Sequence, residues 1–338
     1  MKKLISLICV LAMVLALAAC GSSAPAAATE APAASTEAPA EDVSADKTFV
    51  VGICQLVQHP ALDAATQGFK DALTEALGDK VTFQEQNASG DSATCSLICN
   101  QFVSDEVDLI MANATASIQA AASATNTIPI LGTSITDYGV ALGVDNWTGV
   151  SGTNISGTSD LAPLDGQAAM IQELFPDAKT IGLLYCSGEP NSIFQADSME
   201  ALLTDMGYSV ERYTFADSND VSSVTANACS NSDVLYIPTD NTAASCTEAI
   251  NNVALRAGIP IVAGEEGLAS GCGVATLSIS YYDLGRATGE MAAEILTEGA
   301  DISTMEVRFA PAFTKEYNAD ICEALNITVP EDYVAIAK

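Results

Sequence analysis

The stretch FVVGICQLVQHPALDAATQGFKDALTEAL, residues 49–77, decides the fold class. Its first five residues are mostly apolar and long enough for one buried strand. A polar loop follows over 55–60. Leu62, Ala65, Phe69, Leu73 and Ala76 then recur at helical spacing and make one apolar face. Pro60 suits the first turn of that helix, where its missing N–H costs nothing, and Asp63 suits the positive end of the helix dipole. Strand, loop and helix open a βαβ unit. In an open parallel sheet the loop at the carboxyl end of a strand faces the ligand crevice, which puts Gln55, Gln58 and His59 where small molecules are held.

Working outward, the same pattern recurs. Strands are expected over 49–53, 81–86, 107–112 and 128–131, with helices between them. A second set follows at 180–185, 209–215, 234–237 and 259–263. The halves match directly: DLIMANATASIQAAASATNTIPILG at 108–132 and DVLYIPTDNTAASCTEAINNVALRAGIPIVAG at 233–264. Each runs from Asp through an apolar strand, a polar loop with Thr and an Ala-rich helix to Ile-Pro-Ile. Alternating strands and helices imply parallel sheets with right-handed crossovers, here two similar Rossmann-like lobes. The Gly-, Ser- and Thr-rich stretch 146–160 is expected to cross between them. A further helix is expected over 283–298, and 309–313 and 327–334 return across the hinge.

The N-terminus carries an address. Lys2 and Lys3 precede an apolar run over 4–17 that is short for a membrane span. Leu17-Ala18-Ala19-Cys20 resembles a lipoprotein signal, which implies cleavage before Cys20 and a lipid on its sulfur. Residues 21–46, rich in Ala, Pro, Ser, Thr and Glu, form a tether that would span roughly 30 Å as a flexible coil.

Composition narrows the function classes. The 43 acidic residues against 12 basic ones set a net charge of −31, which repels nucleic acid and excludes it as a partner. Beyond Cys9 and Cys20, eight cysteines are scattered through apolar stretches. That favours buried free thiols; one or two disulfides stay open, with no legible pairing. A zinc site needs a tighter cluster than one His and dispersed Cys provide, so no metal or other cofactor is expected.

Asn87, Thr115, Thr136 and Asp137 fall at strand ends of the first half. Glu189, Asn191, Thr239, Asp240 and Glu265 do so in the second. Singly such residues serve as caps and turn formers. Carboxylates and amides at matching strand ends of both halves point to a binding cleft. The N–H groups after Thr115 and Thr239 are expected to face it as an anion site. No basic residue of the body falls at a strand carboxyl end, which favours a neutral zwitterion or polar neutral ligand over a phosphate or dicarboxylate. No GxSxG, GxxxxGK[ST] or GxGxxG motif is present. Cys54 and His59 are the one nucleophile pair, without an orienting third group. Trp147 is either hinge packing or a ligand wall.

GICQLVQHPALD at 52–63, Asn87-Ala88-Ser89-Gly90-Asp91, Ala114-Thr115, Thr136-Asp137, Glu189-Pro190-Asn191-Ser192 and Tyr282-Asp283-Leu284-Gly285-Arg286 together resemble the ABC-transporter substrate-binding lipoproteins of the tryptophan/aromatic amino acid type. The resemblance covers about 47–338. It implies an α/β type I periplasmic-binding fold with a hinge of about three crossovers. Lobe 1 is then expected over 47–156 and 281–304, and lobe 2 over 157–280 and 305–338, after a signal peptide at 1–19 and a lipidated tether at 20–46. It implies a non-enzymatic monomer, lipid-anchored on the extracytoplasmic face, that passes an amino acid to permease and ATPase subunits. Carried over, the ligand-binding residues are Gln55, Asn87, Thr115, Thr136, Asp137, Glu189, Asn191 and Asp240. Asp137 and Asp240 are the candidates for the ligand ammonium, and Tyr138, Tyr185 and Phe194 for apolar walls. The family commonly has Pro after the Thr-Asp pair; here Tyr138-Gly139 follows, which sets a Tyr at the cleft rim. A ligand-sensing lipoprotein and a cleft hydrolase are the competing classes.

Overall fold

Seven consecutive residues, Phe49–Gln55, form β1, and six of them are buried. A strand covered on both faces has to be apolar on both faces, as this one is. The computed structural model describes residues 47–310 and 312–337. The signal peptide, Cys20 and the tether lie outside the described residues. After β1 come α1 (Pro60–Leu77), β2 (Val81–Asn87), α2 (Ser92–Ser104), β3 (Leu109–Asn113), α3 (Thr115–Ala124), β4 (Ile130–Ile135), α4 (Tyr138–Leu142) and β5 (Ile155–Ser159). The second lobe follows with α5 (Leu164–Leu174), β6 (Thr180–Cys186), α6 (Pro190–Asp205), β7 (Ser209–Phe215), α7 (Val221–Asn231) and β8 (Val234–Ile237). It continues through α8 (Asn241–Ala244), α9 (Thr247–Ala257), β9 (Ile261–Ala263), α10 (Glu266–Gly271) and β10 (Ala275–Ser278). The chain ends with α11 (Tyr281–Glu298), β11 (Arg308–Phe309), β12 (Thr314–Tyr317), α12 (Ala319–Leu325) and β13 (Val334–Ala335).

Two sheets result. The first has the order β11-β5-β4-β3-β1-β2 and the second β13-β12-β10-β9-β8-β6-β7. The first is parallel throughout; in the second only the β10–β12 pairing is antiparallel. Each sheet is covered on both faces by apolar clusters, and a smaller cluster around Ala65, Ile279 and Tyr281 lies at the hinge. The chain passes between the lobes three times: after β5, after β10 and after β11. No helix among the described residues is long and apolar enough to cross a membrane.

Two of the three crossings lie later than expected. The first falls after Ser159 rather than at 156, and the last after Phe309 rather than at 304. Residues 146–160 look like a linker because Ser, Thr and Gly dominate. Yet all five residues of β5 are buried. Their hydroxyls are satisfied: Ser156 donates to Met305 O at 3.0 Å, Thr158 meets the Thr288 hydroxyl at 2.8 Å, and Ser159 donates to Thr136 O at 2.9 Å. A polar strand can be buried once its side chains are bonded.

Helix α11, although it follows the second lobe in sequence, returns to pack along α1. Two glycines permit the approach. A Cβ on Gly285 would lie 2.0 Å from Ala65 O, and one on Gly68 would lie 2.0 Å from Tyr282 O. Gly285→Ala is therefore expected to lower stability by about 1–3 kcal/mol through overpacking, while exposed Glu290→Ala stays within about 0.5 kcal/mol. Chemical denaturation of the two variants checks this; equal effects would show that the helices do not depend on backbone contact.

Candidate functional site

The strand carboxyl ends of both sheets face each other, and the loops that leave them enclose a narrow cavity. Its lining comes from the β1–α1 loop (His59), the β4 end (Ser134, Thr136), the first crossing (Asp160), α6 (Asn191), the β8–α8 loop (Thr239, Asp240, Asn241), Glu265 and Tyr281. Water centres have about 10 Å³ to occupy there. Asn191 and Asn241 also line a larger chamber of about 510 Å³ that continues outward past Leu56, Thr115, Gln119 and Glu189.

Hydrogen bonding separates structural polar groups from available ones. Among the described residues, six buried side-chain polar atoms lack a partner. Three of them line this one cavity: His59 Nδ1, Ser134 Oγ and Asp160 Oδ1. Buried polar atoms without partners are uncommon, so three together mark where a polar ligand can be met. The backbone helps to aim them. Between Gly132 and Ile135 the pairing of β4 with β5 shifts register, and Ser134 takes a φ of 56°. A bulge next to a site re-aims a side chain, at the cost of local strain.

The carboxylates divide the same way. Glu189 accepts from Asn241 N (3.0 Å), Asn241 Nδ2 (2.8 Å), Thr242 N (2.8 Å) and Thr242 Oγ1 (2.7 Å). Asp240 accepts from Cys186 N at 2.7 Å and Ala243 N at 2.8 Å. Glu265 accepts from Gly267 N at 2.5 Å and Leu268 N at 2.6 Å. These acids cap helices of their own lobe. Asp160 differs: Oδ2 accepts from the Tyr281 hydroxyl at 2.8 Å, and Oδ1 is open. Burial raises its carboxyl above the usual range, against the lowering effect of the Tyr281 and Thr136 hydroxyls. Burial, with the charge of Glu189 adding to it, also raises the Asp240 carboxyl. Burial likewise pushes Glu265 up to about 7.

Of the eight residues expected to bind, Thr136, Asn191 and Asp240 line the inner cavity, while Thr115, Glu189 and Asn191 line the outer chamber. Gln55 and Asn87 line neither. Gln55 donates to Val57 O and Asp63 Oδ1 and accepts from Thr66, so its polar atoms are spent inside lobe 1. Asn87 is exposed, and its Oδ1 accepts from Ser89 N at 2.8 Å as a turn former. Asp137 caps α4 through Val140 N at 2.7 Å and does not line the cavity. The helix start after Thr239 is no anion site, because Glu189 and Asp240 already occupy its N–H groups. The start of α3 at Thr115 has no side-chain cap.

The aromatic walls also differ from expectation. Tyr138 lies in the lobe 1 core, where its hydroxyl donates to Gly132 O and Thr158 O and its ring stacks on Trp147 at 5.8 Å. Trp147 is thus packing. Tyr185 is buried beside Arg212, and Tyr185 and Phe194 do not line the cavity. Tyr281 supplies the ring instead. Ser134, Asp160 and Tyr281 are not among the expected site residues: they stand in a strand, a crossing and a helix start rather than in a loop directly after a strand.

All eight described cysteines are free. A hydrogen bond with Cys95 would lower the Cys54 thiol, but Cys99 beside it and burial outweigh this and push it up to about 12. His59 turns toward Asn241 at 3.4 Å. The two do not form an activated pair. No group of three or more His, Cys, Asp or Glu among the described residues is arranged to hold a metal ion.

The family model described as ABC transporter substrate binding protein matches residues 50–338. A tyrosine-binding protein of Clostridioides difficile (strain R20291) is 38% identical over 280 residues, 82% of this chain and 81% of that protein. The crystal structure of an ABC domain in complex with L-Trp from Streptococcus pneumonia is 31% identical, with a TM-score of 0.80 over 84% of this chain and 97% of that one. A ligand-free, open structure of a substrate-binding protein with adhesive properties from Clostridium difficile is 37% identical, with a TM-score of 0.66 over 86% and 99%. The chain is nearer in sequence to the open structure and nearer in shape to the tryptophan complex.

The raised Glu265 carboxyl makes stability depend on pH. The folded protein keeps a proton that the unfolded chain releases near the ordinary carboxylate value of about 4.3. The stability tied to that proton is whole at lower pH and is lost as pH rises toward about 7. Glu265→Gln has no proton to release. Its stability relative to wild type should rise by of order 1–3 kcal/mol between pH 4 and 7, measured by urea unfolding. A pH-independent difference would place an ionised Glu265 in the folded state throughout.

Proposed function

The chain belongs to the ABC transporter substrate-binding proteins, and on that premise we propose that it captures an aromatic α-amino acid between its lobes for delivery to a membrane permease driven by an ATPase. The observation that carries the ligand class is the open Oδ1 of buried Asp160 in a cavity without a Lys or Arg in its lining. A buried carboxylate oxygen is an acceptor for an ammonium. Ser134 Oγ, in the same lining as Asp160, suits the ligand carboxylate. Leu62, Ala244 and the Tyr281 ring supply apolar wall. The tyrosine-binding and tryptophan-bound relatives support an aromatic side chain.

The work is capture and release, without turnover. Cys20, with its lipid, holds the body on the extracytoplasmic face as a monomer, and the tether gives it reach. Asp160 takes the ammonium role that the sequence assigned to Asp137 and Asp240, since both of those serve as helix caps.

Calorimetric titration of L-Tyr, L-Trp and the other amino acids tests the reading. Removing a buried charged partner typically costs about 2–5 kcal/mol, so Asp160→Asn should weaken binding by about 30-fold or more, while exposed Lys179→Ala leaves it unchanged. Binding of a sugar in place of any amino acid would contradict the ligand class, and an unaltered Asp160→Asn would move the ammonium elsewhere.

Anchoring is tested separately. Cys20→Ala should release the protein into the medium or leave it unprocessed, with ligand affinity unchanged. Wild-type protein in the cytoplasmic fraction would contradict export.

A further inference from the structure

His59 is the one histidine of the chain, and its ring faces a relay that ends on Glu189 and favours one tautomer. Glu189 Oε2 accepts from Asn241 Nδ2 at 2.8 Å and from Asn241 N at 3.0 Å. That fixes which way the Asn241 amide faces, because only its Nδ2 can donate. Asn241 Oδ1 is then left toward His59 Nε2, at 3.4 Å. An amide oxygen only accepts, so Nε2 carries the ring proton. In neutral imidazole the other nitrogen, Nδ1, keeps a bare lone pair. Burial lowers the His59 pKa, which favours the neutral ring, against smaller raising effects of Asn241, Glu189 and Asp63. Nδ1 lines the cavity, is buried and has no partner.

The position of this lone pair matters as much as its state. His59 meets Asn241, which follows β8, whereas Asp160 meets Tyr281, which follows β10. β8 and β10 are two strands apart in the second sheet, about 10 Å at the usual strand spacing. In the first sheet β1 and β5 are three strands apart. His59 and Asp160 thus reach the cavity lining from different strand ends. An aromatic amino acid, with an ammonium at one end and a ring at the other, offers a partner to each of the two.

We propose that His59 selects among aromatic amino acids: its Nδ1 accepts a hydrogen bond from a donor on the ligand ring, a phenol O–H or an indole N–H. The proposal rests on the amino-acid reading above and adds the identity of the far contact. A ligand without a ring donor, such as phenylalanine, leaves a buried acceptor unpaired. Sites built to meet a polar group reject analogues that lack it far more strongly than apolar pockets reject a missing methylene.

The relay also explains why Glu189, an acid whose oxygens already accept from five donors, sits at the cleft. It acts as a positioning residue, through Asn241, on the histidine that meets the ligand. His59 itself occupies the N-cap position of α1 without a side-chain capping bond, so replacing it removes no cap.

Two measurements on the full chain test the proposal. In titrations, wild type should bind L-Tyr or L-Trp at least about 30-fold tighter than L-Phe, and His59→Ala should bring the ratio within about 3-fold. Because the chain has one histidine, imidazole ¹⁵N spectra report on it without assignment. The Nδ1 resonance should start at the unprotonated position and move upfield with L-Tyr or L-Trp but not with L-Phe, while Nε2 stays protonated. These spectra use wild type and stand even if His59→Ala does not fold. Equal binding of L-Phe, the same Nδ1 response to L-Phe, or an unprotonated Nε2 would overturn the proposal and leave the amino-acid reading intact. Binding of none of the three would overturn both.

Discussion

A buried polar atom needs a hydrogen-bond partner, and at the meeting of the two lobes that constraint decides almost everything. The sheets end there, so carboxylates, amides and helix starts converge in a narrow space. Most satisfy each other. Asp240 and Glu265 each take two backbone N–H groups, and Glu189 takes four donors from Asn241 and Thr242. What is left over, at His59, Ser134 and Asp160, is what a ligand can meet. The candidate site is thus marked by the polar groups that the fold does not use.

The same accounting bears on motion. Within each lobe the polar contacts near the cleft are short, such as Gln195 Nε2 to Thr239 Oγ1 at 2.6 Å. Across the cleft they are long: 3.3 Å between the Thr136 and Thr239 hydroxyls, 3.4 Å from Gln195 Nε2 to Thr136 Oγ1, and 3.4 Å between His59 and Asn241. Long hydrogen bonds are weak ones. The lobes therefore hold each other loosely through their own side chains. A ligand that bonds Asp160 on one side and lobe 2 groups on the other adds differential affinity for the closed arrangement, which is what shifts such an equilibrium.

The sequence made the framework legible because apolar periodicity is a local signal. Seven-residue strands such as Phe49–Gln55 and Ser209–Phe215 are bounded by residues that announce their ends. The repeat of Ile-Pro-Ile after an Ala-rich helix exposed the two lobes. Polar strands were not legible: ISGTS at β5 is buried through side-chain bonds to residues as distant as Met305 and Thr288, which no local pattern encodes. The same gap hid half the site. Loop position brings Asn191, Thr239, Asp240 and His59 to the cavity lining, but whether an acid is free or spent depends on partners far along the chain. Asp137 and Asp160 look alike in sequence; one caps α4, and the other keeps an oxygen open.

The most direct test of this account is a crystal structure of the protein with L-tyrosine at a resolution that orients the ligand. The account predicts the α-ammonium within hydrogen-bonding distance, about 2.7–3.2 Å, of Asp160 Oδ1, with the phenol oxygen toward His59 Nδ1. An ammonium seated on Asp137 or Asp240, or a ligand held wholly in the outer chamber beside Thr115 and Gln119, would contradict it.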